Sequence, residues 1–287
     1  MKYNKDKSSK PYDDIDVIVK TLFELLPDIA KRIIEVRPEN ENFINNPDDS
    51  KEHVVNWHQF GIITHTGVVL EAYNSESYNF LQQWNIEEKV NRKLSIKVEN
   101  RTKQDLIKIG IVLHDIGKFA RNIKIENGII EHNFYGHEAI SEKLIISEDS
   151  FIYDLLKNNF RLTIPQIKYI GRIAGLHFEL GKSRDAARRA SHGYSISFSE
   201  TLECDITCKD IAAQYADFKE EIGILFLCDS LGKTDIRINA ISDKEIEKQE
   251  VYIQKVLNER NLCPNLMAAI KQLPVNIAIT KRYLQIT

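Results

Sequence analysis

The chain has 287 residues, 43% of them hydrophobic, which is enough for one large domain core with or without appended elements. A net charge of −3 and a pI near 6.3 exclude the global basic field that drives sequence-independent binding to duplex nucleic acid, so any such contact must be local. The charged start MKYNKDKSSKPYDD has no apolar signal core, and no later run is apolar and long enough to span a bilayer, so the cytoplasm is the expected location.

With only 7 Pro and 12 Gly and no repeat or low-complexity tract, long helices joined by polar loops are expected, an all-α bundle. Residues 12–36 set Ile15, Val19, Leu22, Phe23, Leu26, Ile29 and Ile33 at three- and four-residue steps, a helical stripe with a kink at Pro27. Residues 38–49 read as polar loop. Further helices are expected at about 60–73, 77–90, 103–120, 136–147, 150–158, 164–179, 209–238, 243–260 and 264–272. Two segments interrupt them: 124–132, where Asn127-Gly128 signals a tight turn between Ile-rich flanks, and 193–207, rich in Ser and Thr. Each reads as a small hairpin or a mobile flap. The expected organisation is an N-terminal helical extension (1–50), a core (51–240) and C-terminal helices packed on that core (241–287).

The four cysteines, Cys204, Cys208, Cys228 and Cys263, lack the paired CxxC spacing of a structural zinc site and the density of a disulfide scaffold. They read as ordinary thiols of a reducing compartment.

Chemistry concentrates in IVLHDIGKF, residues 111–119, where an adjacent His-Asp pair interrupts an apolar helix. Successive helical residues point about 100° apart, so His114 and Asp115 can grip one ion from neighbouring directions. Gly117 leaves room for another backbone or a ligand, and Lys118 puts a cation about one turn further on, where a phosphate would suit. His65 follows the stripe of Val68, Val69 and Ala72; His137 falls with Ile140, Ser141 and Leu144; His177 follows Ile170, Ile173 and Ala174. Asp229 shares a face with Phe218, Ile222 and Leu225, where an ionised carboxylate is costly unless paired or metal-bound.

One histidine on an apolar stripe is more often a hydrogen-bonded core residue than a ligand. Six such residues on separate elements, one pair of them adjacent, are harder to explain that way. Nitrogen and carboxylate donors without thiolates suit a hexacoordinate ion such as Mn²⁺, Fe²⁺, Co²⁺ or Ni²⁺, or Mg²⁺, one or two of them. Asp235 rivals Asp229 as the last carboxylate, although Asp229 has the more buried face. His58, seven residues before His65, reads either as a pocket-rim residue or as an ordinary helix-start histidine. Lys182, Arg184, Arg188 and Arg189 read as a solvated face in preference to a phosphate clamp. His53, His132 and His192 carry no signal.

The order His65, His114-Asp115, His137, His177, Asp229 resembles the HD superfamily of metal-dependent phosphohydrolases, over residues 58–235. The strings HTGVVLEA, VLHDIGKF, FYGHEAISEKL, GLHFEL and LCDSLGK are most similar to the HD domain of bacterial CCA-adding enzymes, without their nucleotidyltransferase head. HDIGK also occurs in cyclic-dinucleotide phosphodiesterases of the HD-GYP type, but their RxxDGxGYP string is missing. The resemblance implies a helical fold in which His65, His114, Asp115 and Asp229 ligate a first divalent ion, while His137 and His177 hold a second or touch substrate.

It further implies hydrolysis of phosphomono- or diesters by a metal-activated water, which Asp115 orients while Lys118, His137 and His177 stabilise phosphoryl charge. The expected partner is a small phosphorylated substrate: a nucleotide, a cyclic nucleotide or a nucleic-acid end. Alternatives on the same fold are a silent nucleotide-sensing module and a di-iron oxygenase; a partner-binding helical scaffold is the reading without the resemblance.

Overall fold

The computed structural model describes residues 14–35, 58–120, 123–126, 129–132, 134, 136–191, 200–237, 243–260, 262 and 264–286. The expected loop at 38–49, together with His53, His192, Cys263 and the side chain of His132, lies outside the described residues. The fold is all-α, with two small antiparallel hairpins among the described residues.

The first stripe forms two helices, α1 (Ile15–Glu24) and α2 (Leu26–Glu35), broken at Leu25. The break falls just ahead of Pro27, which lacks an N–H and crowds the turn before it. Asp14 caps α1 by accepting from Asp16 N at 2.9 Å. Helix α3 (Ile62–Glu71) continues through one π-turn (Ala72–Glu76) into α4 (Ser77–Gln83), so the expected gap at 74–76 is closed. The helix expected over 77–90 is broken instead at Trp84–Asn85, where Asn85 adopts φ 56°, and α5 (Glu87–Leu94) follows.

Strands β1 (Lys97–Val98) and β2 (Arg101–Thr102) form a short hairpin that the sequence did not signal. It delivers Thr102 as the cap of α6 (Lys103–Leu113), where Thr102 and Asp105 hold each other in a reciprocal capping box. Helix α6 buries Leu106, Ile107, Ile109, Gly110, Ile111, Val112 and Leu113, so it is covered on nearly all sides. The α-helix stops at Leu113, short of the expected 120: His114 and Asp115 form a turn, and a 3₁₀ segment (Ile116–Ala120) follows. The His-Asp pair therefore sits at the end of a helix and not within one.

Strands β3 (Ile123–Glu126) and β4 (Ile129–His132) pair antiparallel, the hairpin alternative for that segment. Then come α7 (His137–Ile146), α8 (Phe151–Asp154) with a π-turn to Asn159, and α9 (Ile164–Leu176), capped by Thr163 and Gln166. Helix α10 (Gly181–Ser191) is separate from α9, and α11 (Leu202–Gln214) begins inside the 193–207 stretch expected to be a hairpin or flap. A 3₁₀ turn (Ala216–Phe218) splits α11 from α12 (Lys219–Gly232), so the single helix expected over 209–238 is two. Last are α13 (Asp243–Glu259) and α14 (Pro264–Gln285), the latter running through Pro274 well past residue 272.

Helix α6 is the hub, packed by α1, α3 and α9, with α7 against α9 and α12 against α3 and α14. Among the described residues no helix is long and apolar enough to cross a membrane.

Candidate metal centre

Three helices end at one place. His114 and His177 are the C-cap residues of α6 and α9, and Asp229 lies in the last turn of α12. His65 comes from the first half of α3, and His137 opens α7 behind Gly136, whose φ of 76° turns the chain into the helix. Helix C-termini carry partial negative charge and unsatisfied carbonyls, so the site favours a cation before any side chain is counted.

All six residues singled out as ligands converge there and are buried, together with Lys118 and His58. His65 Nε2 is 3.1 Å from Asp229 Oδ1 and 3.5 Å from Asp115 Oδ2. His114 Nε2 is 3.4 Å from Asp115 Oδ2 and 3.9 Å from Asp229 Oδ1. On the other side of Asp115, Oδ1 is 3.1 Å from His137 Nε2 and 3.7 Å from His177 Nε2. Asp115 thus stands between two ligand groups, one oxygen turned to each.

The protons on these rings follow from their outer contacts. His65 Nδ1 meets Gly232 O at 2.9 Å, His114 Nδ1 meets Ile111 O at 2.7 Å, His137 Nδ1 meets Phe134 O at 2.7 Å and His177 Nδ1 meets Ala174 O at 2.6 Å. A carbonyl only accepts, so each Nδ1–H donates and each ring turns its Nε2, the atom that would bind a metal, inward. This outer-contact pattern is the one that orients metal-binding imidazoles.

Inward, the four Nε2 atoms crowd against one another and against the oxygens of Asp115 and Asp229. His137 Nε2 lies 3.3 Å from His177 Nε2, and His114 Nε2 and Asp115 Oδ1 are buried without a hydrogen-bond partner. Acceptors held this close repel unless a cation lies among them, and orphaned buried polar atoms are costly. Among the described residues the donor sets with metal-binding spacing are His58, His65, Asp115 and Asp229; His114, Asp115 and His177; and His137, Glu138 and His177. The residues present therefore fit a divalent ion, and their N and O donors exclude a thiolate zinc site.

Electrostatics agree. Burial pushes the His114 imidazolium below its ordinary pKa, against the pull of Asp115. Burial, with His114 and His137 alongside, lowers His177 to about 3. Burial also favours the neutral acid at Asp115, but His114 and Lys118 outweigh it and hold the carboxyl well below its usual range. Asp229 is likewise raised by burial and brought well below by Lys233 and His65.

Lys118 Nζ donates to Asp115 Oδ2 at 2.6 Å and contacts His58 Nε2 at 3.1 Å, and His58 stacks on His65 with centroids 3.9 Å apart. His58 is thus part of the centre and not of a rim. Asp235 is exposed and paired with Arg260 at 2.6 Å, away from these ligands. Lys182, Arg188 and Arg189 are exposed as expected, but Arg184 is not: it is buried against Gln272 and Asp185 with its guanidinium over Phe178. Cys204, Cys208 and Cys228 are buried free thiols outside all the donor sets.

Two contributors had no reading in the sequence. Glu138 places Oε2 3.5 Å from His137 Nδ1, and Lys233 places Nζ 3.0 Å from Asp229 Oδ2. The only signal for Lys233 was its i,i+4 spacing from Asp229.

Comparison with models of known protein families, with curated proteins and with solved structures finds no match for this chain.

Proposed function

We propose that this protein is a metal-dependent phosphohydrolase acting on phosphomono- or diesters of nucleotides, cyclic nucleotides or nucleic-acid ends. The observation that carries the reading is the inward convergence of four imidazole Nε2 atoms on two buried carboxylates. The resemblance of the motif order to the HD superfamily supplies the reaction class.

A divalent ion held by His65, His114, Asp115 and Asp229 would lower the pKa of water and polarise a phosphoryl oxygen. Asp115, ionised at neutral pH, accepts from and orients the attacking water. Lys118 supplies fixed positive charge beside Asp115 for the phosphoryl oxygens. At 8% exposure His137 is the most accessible imidazole of the six-residue set, against 0–2% for the other three, which supports its role in contacting substrate.

The test pairs elemental analysis of untagged protein with hydrolysis of bis-p-nitrophenyl phosphate and p-nitrophenyl phosphate under added Mn²⁺, Ni²⁺, Co²⁺ and Mg²⁺. Stoichiometric metal and metal-stimulated hydrolysis, both lost in a folded Asp115→Asn protein, are expected. Hydrolysis that survives this substitution would overturn the scheme. The division of Asp115 between two ligand groups also favours a second reading, a di-iron oxygenase, for which the outcome is two bound irons with oxygen uptake and no phosphoester cleavage.

A further inference from the structure

Lys233 has a place in this centre that the sequence motifs leave unexplained. It follows the last residue of α12, and its ammonium lies 3.0 Å from Asp229 Oδ2 with the side chain 12% exposed. The Phe178 ring covers it, with Nζ 5.2 Å from the centroid. Asp229 is consequently divided: Oδ2 is taken by Lys233, and Oδ1 faces His65 and His114.

We infer that Lys233 is an internal counter-charge that competes with the metal ion for Asp229, sustaining the carboxylate when the centre is unloaded and weakening its hold on the ion when loaded. The inference rests on the metal-centre reading above.

Two effects of Lys233 oppose each other. As an outer contact it orients Asp229, and loss of such a contact typically weakens metal binding about 10- to 100-fold. As a cation held against Asp229, it would repel an ion bound by the same carboxylate and draw charge from that ligand. In a poorly solvated interior the second effect is the larger. Removing Lys233 also strands Asp229 as a buried charge unless an ion replaces the ammonium. The two consequences have opposite sign: protein without metal becomes less stable, and metal binds more tightly.

That pair of signs separates this role from the others open to a buried lysine. A residue that only supports the fold would lower stability and metal affinity together. A residue that only binds substrate would leave metal affinity unchanged and raise KM.

The experiment titrates full-length protein with Mn²⁺, following free Mn²⁺ by its paramagnetic resonance, and measures Tm in excess chelator. The proteins are wild type, Lys233→Met, Lys233→Gln and Lys233→Arg. Lys233→Met is expected to bind Mn²⁺ at least about 10-fold more tightly and to lose roughly 5–10 °C of Tm in chelator. Lys233→Gln keeps a donor to Oδ2 without the charge, so it should bind as tightly and lose less Tm, which keeps the test open if the Met protein does not fold. Lys233→Arg should resemble wild type. Equal or weaker Mn²⁺ binding in both uncharged variants overturns the inference while leaving the metal centre standing. Wild type that binds none of Mn²⁺, Co²⁺, Ni²⁺ or Fe²⁺ overturns the metal-centre reading and this inference with it.

Discussion

At Gly117 an added Cβ would lie 2.1 Å from His137 O and 2.8 Å from Ser141 N, both backbone atoms that cannot rotate aside. Gly117 N also donates to Ser141 Oγ at 2.9 Å. The turn after the His-Asp pair is therefore docked directly on the first turn of α7, and that contact sets the distance from Asp115 to His137. Gly117→Ala must push the two segments apart, at a cost of about 1–3 kcal/mol from overpacking. Because candidate ligands lie on both sides of this contact, the same substitution is expected to weaken metal binding. Denaturant unfolding and a Mn²⁺ titration of the variant check both effects, and no change in either would mean that the contact has room to relax.

Helix α6 brings His114 and Asp115 to the centre, and its opposite end is fixed by Thr102. Asp105 N donates to Thr102 Oγ1 at 3.1 Å, and Thr102 N donates to Asp105 Oδ2 at 3.1 Å. Thr102→Ala is expected to cost about 1 kcal/mol of stability. Both caps flank an 11-residue helix, so Thr102 lies about 18 Å from His114 and metal affinity should not move. A Thr102→Ala protein with weakened Mn²⁺ binding would show that α6 transmits changes along its length instead of fraying locally. Elements of this kind were the more legible part of the sequence, because apolar spacing reveals stripes such as Ile15 to Ile33. Their ends were less so. The first turns of helix α11 fall in the stretch that reads as a hairpin or flap, because buried Cys204, Cys208, Ile211 and Ala212, although at helical spacing, are mostly small, and exposed Leu202 and Ile206 blur the apolar contrast. Helix α14 was read as ending at 272, yet a proline removes only one donor, and buried Leu273, Val275, Ile277 and Ile279 hold the helix through Pro274. In the centre, the six candidate ligand residues that the structure brings together are legible in the sequence because polar residues stand out on apolar faces. His58, whose partners are His65 and Lys118, reads two ways in the sequence, and Lys233 does not stand out there, because a lysine near a helix end looks like an ordinary solvated residue until the Phe178 ring is seen over it.

Across the whole molecule, the centre concentrates buried titratable groups whose charge states differ between folded and unfolded chains, and this fixes how stability depends on pH. Burial holds His58 and His114 below their ordinary pKa of 6.5 and, with its neighbours, brings His177 to about 3. In an unfolded chain these imidazoles take up protons as pH falls through 6.5, whereas the folded chain keeps them neutral, so the unfolded state binds more protons and stability falls with pH. For His177 this loss extends from about 6.5 down to about 3. Asp115 and Asp229 are depressed well below 3.8, so their contribution is present above 3.8 and is lost only as pH falls further, through their folded-state values. The imidazoles therefore begin the acid decline and the carboxylates complete it. Urea unfolding in chelator at pH 8, 7, 6 and 5 should give stability that is nearly level above pH 7 and declines steadily below about 6.5. A bound ion would deepen the decline, because protons compete with it for the same nitrogens. Stability that stays level from pH 8 to pH 5 in chelator would mean that the imidazoles can be protonated within the folded chain, and the inward-facing lone pairs on which the metal centre depends would not be its resting arrangement.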